Sequence, residues 1–204
     1  MQKLDLKKTY AQLYKALPNK PVFVTVPPLQ YLVVDGHGDP NHSQLFQDVT
    51  AALFSLAYTI KFMVKKGPQA VDYGVMPLEG LWWTDDMSQF SMEDKSNWKW
   101  SIMIMQPPFI TQQIVTEAKA LAAQKKQLSQ LENIRLETME EGLCAQVLHI
   151  GPYSAEGPTI ENLHRFVKDN GYTLSGKHRE IYIGDVRRSA PEKLKTIIRQ
   201  PVAK

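Results

Sequence analysis

The stretch His178-Arg-Glu-Ile-Tyr-Ile-Gly-Asp185 predicts a β-strand. Ile181 and Ile183 alternate with Glu180 and Tyr182, so the isoleucines point to one face of the strand, and the carboxylate and the phenol point to the other. A carboxylate on a strand is usually solvated. The clustering of aromatic residues elsewhere in the chain makes Glu180 a candidate functional residue instead.

An internal repeat surrounds this strand. The order strand, glycine-containing turn, helix, strand, loop, strand occurs twice, over about residues 28–107 and 143–201, and a helix over about 111–131 connects the copies. Duplicated units of this kind commonly pair about a pseudo-two-fold axis. The sequence therefore predicts one α+β domain over residues 1–204, with two pseudo-symmetric βαββ repeats and a ligand groove between antiparallel sheets. The alternative is that side chains fill the groove.

Capping and turn residues set the expected ends of the elements. Asn41, with Gln44 three residues later, predicts the N-terminus of a helix that continues to about Lys66. Residues 70–76 are expected to form a strand, and residues 194–199 the last strand.

Composition limits the class of function. The chain has 204 residues and a net charge of +3, with Lys and Arg spread along it, which argues against a nucleic-acid partner. The single Cys144 fits a reducing compartment, and its apolar surroundings favour a small buried side chain over a nucleophile. No signal peptide or run of membrane-spanning length is recognisable, so we expect a cytoplasmic protein without a membrane partner.

The four tryptophans fall within one strand–loop–strand unit of the first repeat. Trp98 and Trp100 share a strand face, whereas the adjacent Trp82 and Trp83 point to opposite faces. Core packing is the ordinary role of tryptophan, and the alternative is a flat surface for a planar or cationic aromatic ligand. The candidate ligand-binding residues in this half are aromatic residues and flexible methionines: Trp82, Trp83, Trp100, Tyr73, Met76, Met103 and Met105, with Met87 and Met92 adding to the same surface.

The remaining polar residues indicate less about function. The five histidines show no zinc-binding spacing, and neither a GxSxG motif nor a phosphate-binding glycine loop is present, so we expect no metal and no cofactor. His149 ends an apolar strand and can face the groove, although a satisfied core histidine is the alternative. Tyr153 follows a Gly-Pro turn, where its hydroxyl group can reach the strand of Glu180.

Several motifs, in this order, resemble the GyrI-like small-molecule-binding superfamily over about residues 20–202. They are His149-Ile-Gly-Pro-Tyr153, Glu180-Ile-Tyr-Ile-Gly-Asp185, Pro191-Glu-Lys-Leu194 and Pro201-Val202. Three further segments are more similar to its stand-alone bacterial branch: Asp35-Gly-His-Gly-Asp-Pro-Asn41, Glu79-Gly-Leu-Trp-Trp83, and Trp98-Lys-Trp100 with Pro107-Pro-Phe-Ile110.

The resemblance implies two pseudo-symmetric halves with a ligand groove between them, a fold shared with the effector domains of multidrug-responsive transcription activators. In those domains a glutamate that resembles Glu180 lies at the base of an aromatic pocket and attracts lipophilic cations. Some stand-alone members open the cyclopropane ring of DNA-alkylating natural products of the duocarmycin type. That branch often has His directly before the glutamate. In this chain Arg179 directly precedes Glu180, and His178 lies one residue before Arg179, so we assign a catalytic role to neither residue.

Two hypotheses follow, and both involve a hydrophobic aromatic or cationic small molecule and protection against xenobiotics or genotoxins. In a hydrolase, Glu180 activates water as a general base, and Tyr182 or Tyr153 orients the water or donates to the developing phenolate. In a non-catalytic binder, Glu180 neutralises a lipophilic cation. In either case burial among aromatic rings is expected to raise the pKa of Glu180.

Two other functions rank lower. The family name suggests an interaction with DNA gyrase, but no segment resembles an interaction tail. A transcription factor is disfavoured, because about twenty residues precede the first strand, too few for a helix-turn-helix domain.

Overall fold

The computed structural model describes residues 2–86, 94–125, 127–184 and 188–204. Within these residues the chain forms the following helices: α1 (Leu6–Thr9), α2 (Ala11–Tyr14), α3 (Gln44–Lys66), α4 (Gln112–Lys125) and α5 (Gly157–Asp169). The strands are β1 (Gln2–Leu4), β2 (Val22–Val26), β3 (Leu29–His37), β4 (Val71–Tyr73), β5 (Leu78–Trp83), β6 (Lys99–Gln106), β7 (Arg135–Met139), β8 (Gly142–Ile150), β9 (Thr173–Leu174), β10 (His178–Tyr182) and β11 (Lys195–Ala203).

One large antiparallel sheet carries most of these strands, in the order β2-β8-β11-β10-β5-β6-β3-β7. The first βαββ unit consists of β3, α3, β5 and β6, and the second of β8, α5, β10 and β11. The two units meet where β5 pairs with β10, so their strands form one continuous sheet. The α+β class and the two βαββ repeats are therefore confirmed, and Glu180 lies on the strand that joins them.

Both long helices of the repeats lie on the face of the sheet that carries Glu180. Leu163 of α5 packs with Val147 and Ile198, and Ile198 is the residue paired with Glu180 across β10 and β11. Phe46 of α3 contacts Trp82 and Trp100 in the other half. Glu180 therefore sits between the part of the sheet covered by α3 and the part covered by α5.

The opposite face of the same strands holds a buried ionic network. Arg179 of β10 bonds to Glu79 of β5 at 2.7 Å, and the two side chains are 1% and 0% exposed. Tyr14 of α2 donates to Glu79 at 2.6 Å, and Arg179 donates to Tyr31 of β3 at 3.0 Å. The network therefore joins both repeats to the N-terminal segment.

A second buried arginine extends this network. Arg199 of β11 donates to the carbonyl oxygen of Leu13 at 2.6 Å and to the side chain of Gln146 at 3.1 Å. Glu141 lies between the arginines, 3.0 Å from Arg179 and 3.8 Å from Arg199. Buried arginines require such partners, because an unpaired buried charge is strongly destabilising.

Some predicted boundaries were wrong for identifiable reasons. Ser43, rather than Asn41, caps α3, because its hydroxyl group accepts from the backbone N–H of Phe46 at 3.2 Å. Helix α4 ends at Lys125 instead of continuing to about residue 131. The last strand is longer than expected, since Pro201 still pairs with β8.

None of the helices in the described ranges combines the length and the apolar character that crossing a membrane requires.

We expect Glu79→Gln to lower the free energy of unfolding by up to about 3–5 kcal/mol, because it removes one of the two carboxylates that compensate the charge of buried Arg179, and only Glu141 remains. Glu137→Gln is a matched control, since Glu137 pairs with Arg135 at the same 2.7 Å but is 40% exposed. That change should cost less than about 1 kcal/mol. Chemical denaturation of both variants measures the difference, and equal small losses would contradict a structural role for the buried pair.

Candidate functional site

Glu180 faces a glycine across the central strand pair. Gly80 of β5 lies directly opposite it, and Trp82 lies opposite His178. A Cβ atom at Gly80 would stand 2.7 Å from Nε1 of Trp82, so the indole extends back over Gly80. The glycine thus lets Trp82 lie beside the row of side chains that includes Glu180.

Two neighbours on the same strand bond to the Glu180 carboxylate, which is 6% exposed. The hydroxyl group of Tyr182 donates to Oε2 at 2.7 Å. Nε2 of His178 lies 3.2 Å from Oε1 and donates to it, because an ionised carboxylate only accepts. Residues 178, 180 and 182 share one face through the two-residue period of the strand.

These bonds reverse the pKa shift that we expected. Burial by itself raises the pKa of Glu180, but the hydrogen bonds from His178 and Tyr182 and the proximity of His178 outweigh it and lower the pKa below its usual value. The expectation of a raised pKa was therefore wrong, because it counted the apolar surroundings and omitted the donors. Glu180 is ionised at neutral pH.

A second carboxyl group, Glu156, lies beside Glu180 at the start of α5. Both of its oxygens are buried, and Glu180 and Thr196 are its hydrogen-bonding neighbours. Burial and the negative charge of Glu180 raise the pKa of Glu156 to about 10. At neutral pH the two glutamates therefore carry one proton between them, and it resides on Glu156.

Neither Glu156 nor His178 was predicted as a site residue from the sequence. A glutamate just before a helix ordinarily indicates a favourable charge at the helix N-terminus. His178 was set aside because it stands two residues before Glu180, yet this spacing is what places both side chains on the same strand face.

Three further polar side chains complete the surroundings of the two carboxyl groups. Thr196 pairs with Tyr182 across β10 and β11 and is a hydrogen-bonding neighbour of Glu156. Nε1 of Trp82 and Nε2 of His164 are buried without a protein partner in the described ranges. Burial, and to a lesser extent His178, lowers the pKa of His164.

The two other predicted residues of the second repeat have different roles. The Tyr153 ring packs edge-on against the Tyr182 ring, with centroids 5.4 Å apart, so Tyr153 lies next to the phenol that holds Glu180. His149 bonds through Nδ1 to Thr159 at 2.9 Å and through Nε2 to the Pro152 carbonyl at 3.2 Å. His149 therefore holds the turn before α5 in place. This is the role of a satisfied core histidine, which was the alternative to a residue that faces the groove.

Among the aromatic candidates, the structure brings Trp82 to Glu180 but places Trp83 and Trp100 elsewhere. Trp100 is 0% exposed, donates to the carbonyl oxygen of Gly38 at 3.2 Å and belongs to the core. Trp83 lies on the opposite face of β5, where the Nζ atom of Lys177 lies 3.4 Å from its ring centroid.

The remaining candidates lie away from Glu180. Met103 and Met105 are buried on the opposite face of the sheet, where Met103 pairs with Glu79. Tyr73 belongs to β4, outside the large sheet, and contacts Phe109. Met76 is buried in the core, while Met87 and Met92 lie outside the described residues.

The site is closed in this structure. Trp82 and His178 are each 3% exposed. Two surface grooves, of about 520 and 590 Å³, lie beside Phe62 and beside Lys193, and Glu180 lines neither. Among the described side chains, no group of three or more His, Cys, Asp or Glu residues is placed to hold a metal ion.

Comparison with known proteins identifies the family of the chain. The model of the GyrI-like small molecule binding domain matches residues 19–203. The chain belongs to the GyrI-like family. This confirms the resemblance seen in the motifs, and it makes this GyrI-like protein a small-molecule-binding domain.

Three solved structures show how far the similarity extends. A conserved protein from Listeria innocua is 36% identical, covering 98% of this chain and 100% of its own, with a TM-score of 0.90. A hydrolase from Listeria innocua is also 36% identical, covering 99% and 100%, with a TM-score of 0.89. The C-terminal domain of EcmrR shares the fold at 17% identity, covering 91% and 98%, with a TM-score of 0.58. Curated proteins give no significant match.

We expect Tyr182→Phe to raise the pKa of Glu180, because the lost hydroxyl group bonds to the charged form. The pKa of Glu180 is lower in the folded protein than in the unfolded chain, so its ionised form stabilises the fold at pH values above the pKa of the unfolded chain. This stabilisation is lost as the pH falls through the pKa of the folded protein. The variant should therefore lose stability at a higher pH during acidification.

Carboxyl-carbon NMR titration and acid unfolding measure both effects. Tyr58→Phe is the control, because Tyr58 is 48% exposed on α3. An unchanged Glu180 titration in Tyr182→Phe would contradict the assigned bond.

Proposed function

We propose that this GyrI-like protein hydrolyses flat, lipophilic aromatic compounds with a strained electrophilic ring, such as cyclopropane-containing DNA alkylators, and so protects the cell from them. The ionised, buried Glu180, held by Tyr182 and His178 beside the Trp82 indole, carries this proposal. The similarity of the whole chain to a hydrolase from Listeria innocua supports it.

In the proposed reaction, Glu180 acts as the general base for water. The water oxygen bonds to a cyclopropane carbon, and its proton passes to the carboxylate. The ring carbon–carbon bond breaks, and its electron pair moves into the conjugated dienone, which becomes a phenolate. Tyr182 keeps Glu180 in place through the 2.7 Å bond. Tyr153, which lies against Tyr182, is the phenol that we assign to hydrogen bonding with the developing phenolate.

Aromatic packing supplies the second part of the proposal. The Trp82 ring is stacked on Phe46, with centroids 6.1 Å apart, and tilted against Trp98 at 5.4 Å. These contacts fix one indole at the edge of the site, and its N–H has no partner in the described part of the chain. A planar substrate held against Trp82 would keep its reactive carbon near Glu180, which lowers the entropic cost of reaction.

Non-catalytic binding of lipophilic cations is the second candidate function, and the lowered pKa of Glu180 favours it. A general base is most effective when its pKa lies near the working pH, whereas a carboxylate that stays ionised is well suited to neutralising a cation. Aromatic rings beside the carboxylate would add cation–π attraction.

We expect Glu180→Gln to reduce turnover of a cyclopropane alkylator by roughly 10²–10⁴-fold, with neutral substrate still bound, because the amide keeps the shape and removes the base. Mass spectrometry of the ring-opened product, with substrate in excess over protein, measures this. Glu137→Gln, an exposed glutamate on β7, serves as the control.

If the wild-type protein turned over neither cyclopropanes nor esters, the hydrolase proposal would be contradicted. Non-catalytic binding would then remain as the function. In that case Glu180→Gln should weaken cationic ligands by about 1–3 kcal/mol and spare neutral ones. If both turnover and cation binding were unchanged in this variant, Glu180 would not belong to the site.

Trp82→Leu and Trp83→Leu form a matched pair, since the two residues are adjacent and point to opposite faces of β5. Losing the stacking surface in Trp82→Leu should weaken planar aromatic ligands about 5–10-fold, because aromatic pairs contribute about 1 kcal/mol beyond burial. Trp83→Leu should bind as the wild type does. Isothermal titration calorimetry measures both, and equal affinities of the two variants would remove Trp82 from the proposed site.

A further inference from the structure

We propose that Glu156 and Glu180 together form a two-carboxyl cation site, which holds one proton when empty and releases it when a positively charged aromatic ligand binds. This inference rests on the proposed ligand site around Glu180. It adds to that site a second acidic residue, Glu156, that exchanges its proton for the charge of a cationic ligand. The proton that leaves Glu156 passes to the solvent.

The position of Glu156 is the first argument. It directly precedes α5, where an acidic side chain ordinarily points to solvent or bonds to the free backbone N–H groups of the first turn. Glu156 makes no such capping bond. The residue is 0% exposed, and the side chain lies beside Glu180 instead.

The proximity of the two carboxyl groups is the second argument. Glu180 and Thr196 are the hydrogen-bonding neighbours of Glu156, so the one proton of the pair lies between two carboxyl groups. Both groups are shielded from solvent, since Glu156 is 0% and Glu180 6% exposed. A cationic ligand that entered between them would take the place of this proton as the positive charge of the site.

The charges around Glu156 decide which partner fits. Besides Glu180, the titratable groups that face the site are His178 and Tyr182 on β10, Tyr153 in the preceding turn, His164 on α5, His149 on β8 and Lys95 ahead of β6. Burial and the charge of Glu180 oppose ionisation of Glu156, and the hydrogen bond from Thr196 and the charge of Lys95 favour it less strongly. Because two adjacent carboxylates repel each other, they ionise together only when a positive charge is added.

A cationic ligand between the glutamates supplies that charge. It stabilises the ionised form of Glu156 and thereby lowers the pKa of this group in the complex. The free protein then binds one more proton than the complex does, so cation affinity rises with pH. The rise can reach tenfold per pH unit from neutral pH up to the free-protein pKa of about 10. An uncharged ligand of the same shape should show no such dependence.

The test compares a flat monocation, N-methyl-4-phenylpyridinium, with 4-phenylpyridine, which is uncharged at the pH values used. Calorimetric titrations at pH 7.5 and 8.5, each in two buffers of different ionisation enthalpy, give the affinity and the number of protons released. We expect wild-type protein to release close to one proton per bound cation and none with the neutral compound. Glu156→Gln should release none and bind the cation with pH-independent affinity.

Glu161→Gln is the control, because Glu161 is exposed on the same helix and should leave proton release unchanged. Cation binding without proton release in the wild type, or equal release in Glu156→Gln, would overturn the two-carboxyl site and leave the proposed ligand site standing. Binding of neither compound would count against the ligand site as well.

A second measurement does not depend on the folding of a variant. Carboxyl-carbon NMR of the wild-type protein should show the titration of Glu156 moving to lower pH when N-methyl-4-phenylpyridinium is added. An unchanged titration of Glu156 in the presence of bound cation would overturn the proposal.

Discussion

The 2.7 Å ion pair between Arg179 and Glu79 is the interaction on which the rest of the site depends. It joins β10 to β5, the strands where the two repeats meet, and neither partner has access to water. Arg179 directly precedes Glu180, so strand geometry puts the ion pair on one face and the candidate site on the other. Any shift of β10 against β5 would separate the buried charges, which is strongly unfavourable. The buried network therefore holds Glu180 in register with Gly80 and Trp82.

Burial raises the pKa of both glutamates of the site, and hydrogen-bond donors reverse the shift for one of them. Glu180 lies on a strand whose neighbouring positions supply donors, and the bonds from His178 and Tyr182 keep it ionised despite its surroundings. Glu156 lies at a helix start, where burial and the charge of Glu180 outweigh the hydrogen bond from Thr196 and keep Glu156 protonated. A pair of titratable groups whose environments separate their pKa values is a common arrangement in catalytic sites. Here the separation arises from strand and helix geometry.

The sequence predicted the features that depend on local period and repeat order. These include the βαββ units, the strand of Glu180, and Tyr182 on the same face as Glu180. It could not predict contacts that depend on how distant segments meet. Which tryptophan lies beside Glu180 depends on strand register, since Trp82 lies over Gly80, opposite Glu180, and Trp100 lies over Gly36. Glu156 reaches Glu180 only through the entry angle of α5, which no spacing encodes.

The glycine opposite Glu180 has a consequence for the duplicated architecture. Strands β5 and β10 occupy equivalent places in the two halves, yet one contributes a carboxylate and the other a residue without a side chain. The space that a second acid would need is taken by the indole of Trp82. The two repeats therefore contribute different side chains where they meet: the second repeat supplies the charge of Glu180, and the first supplies the flat hydrophobic surface of Trp82. In the proposed function, an asymmetric ligand would therefore bind in one orientation, with its flat part on Trp82 and its polar or charged part at Glu180.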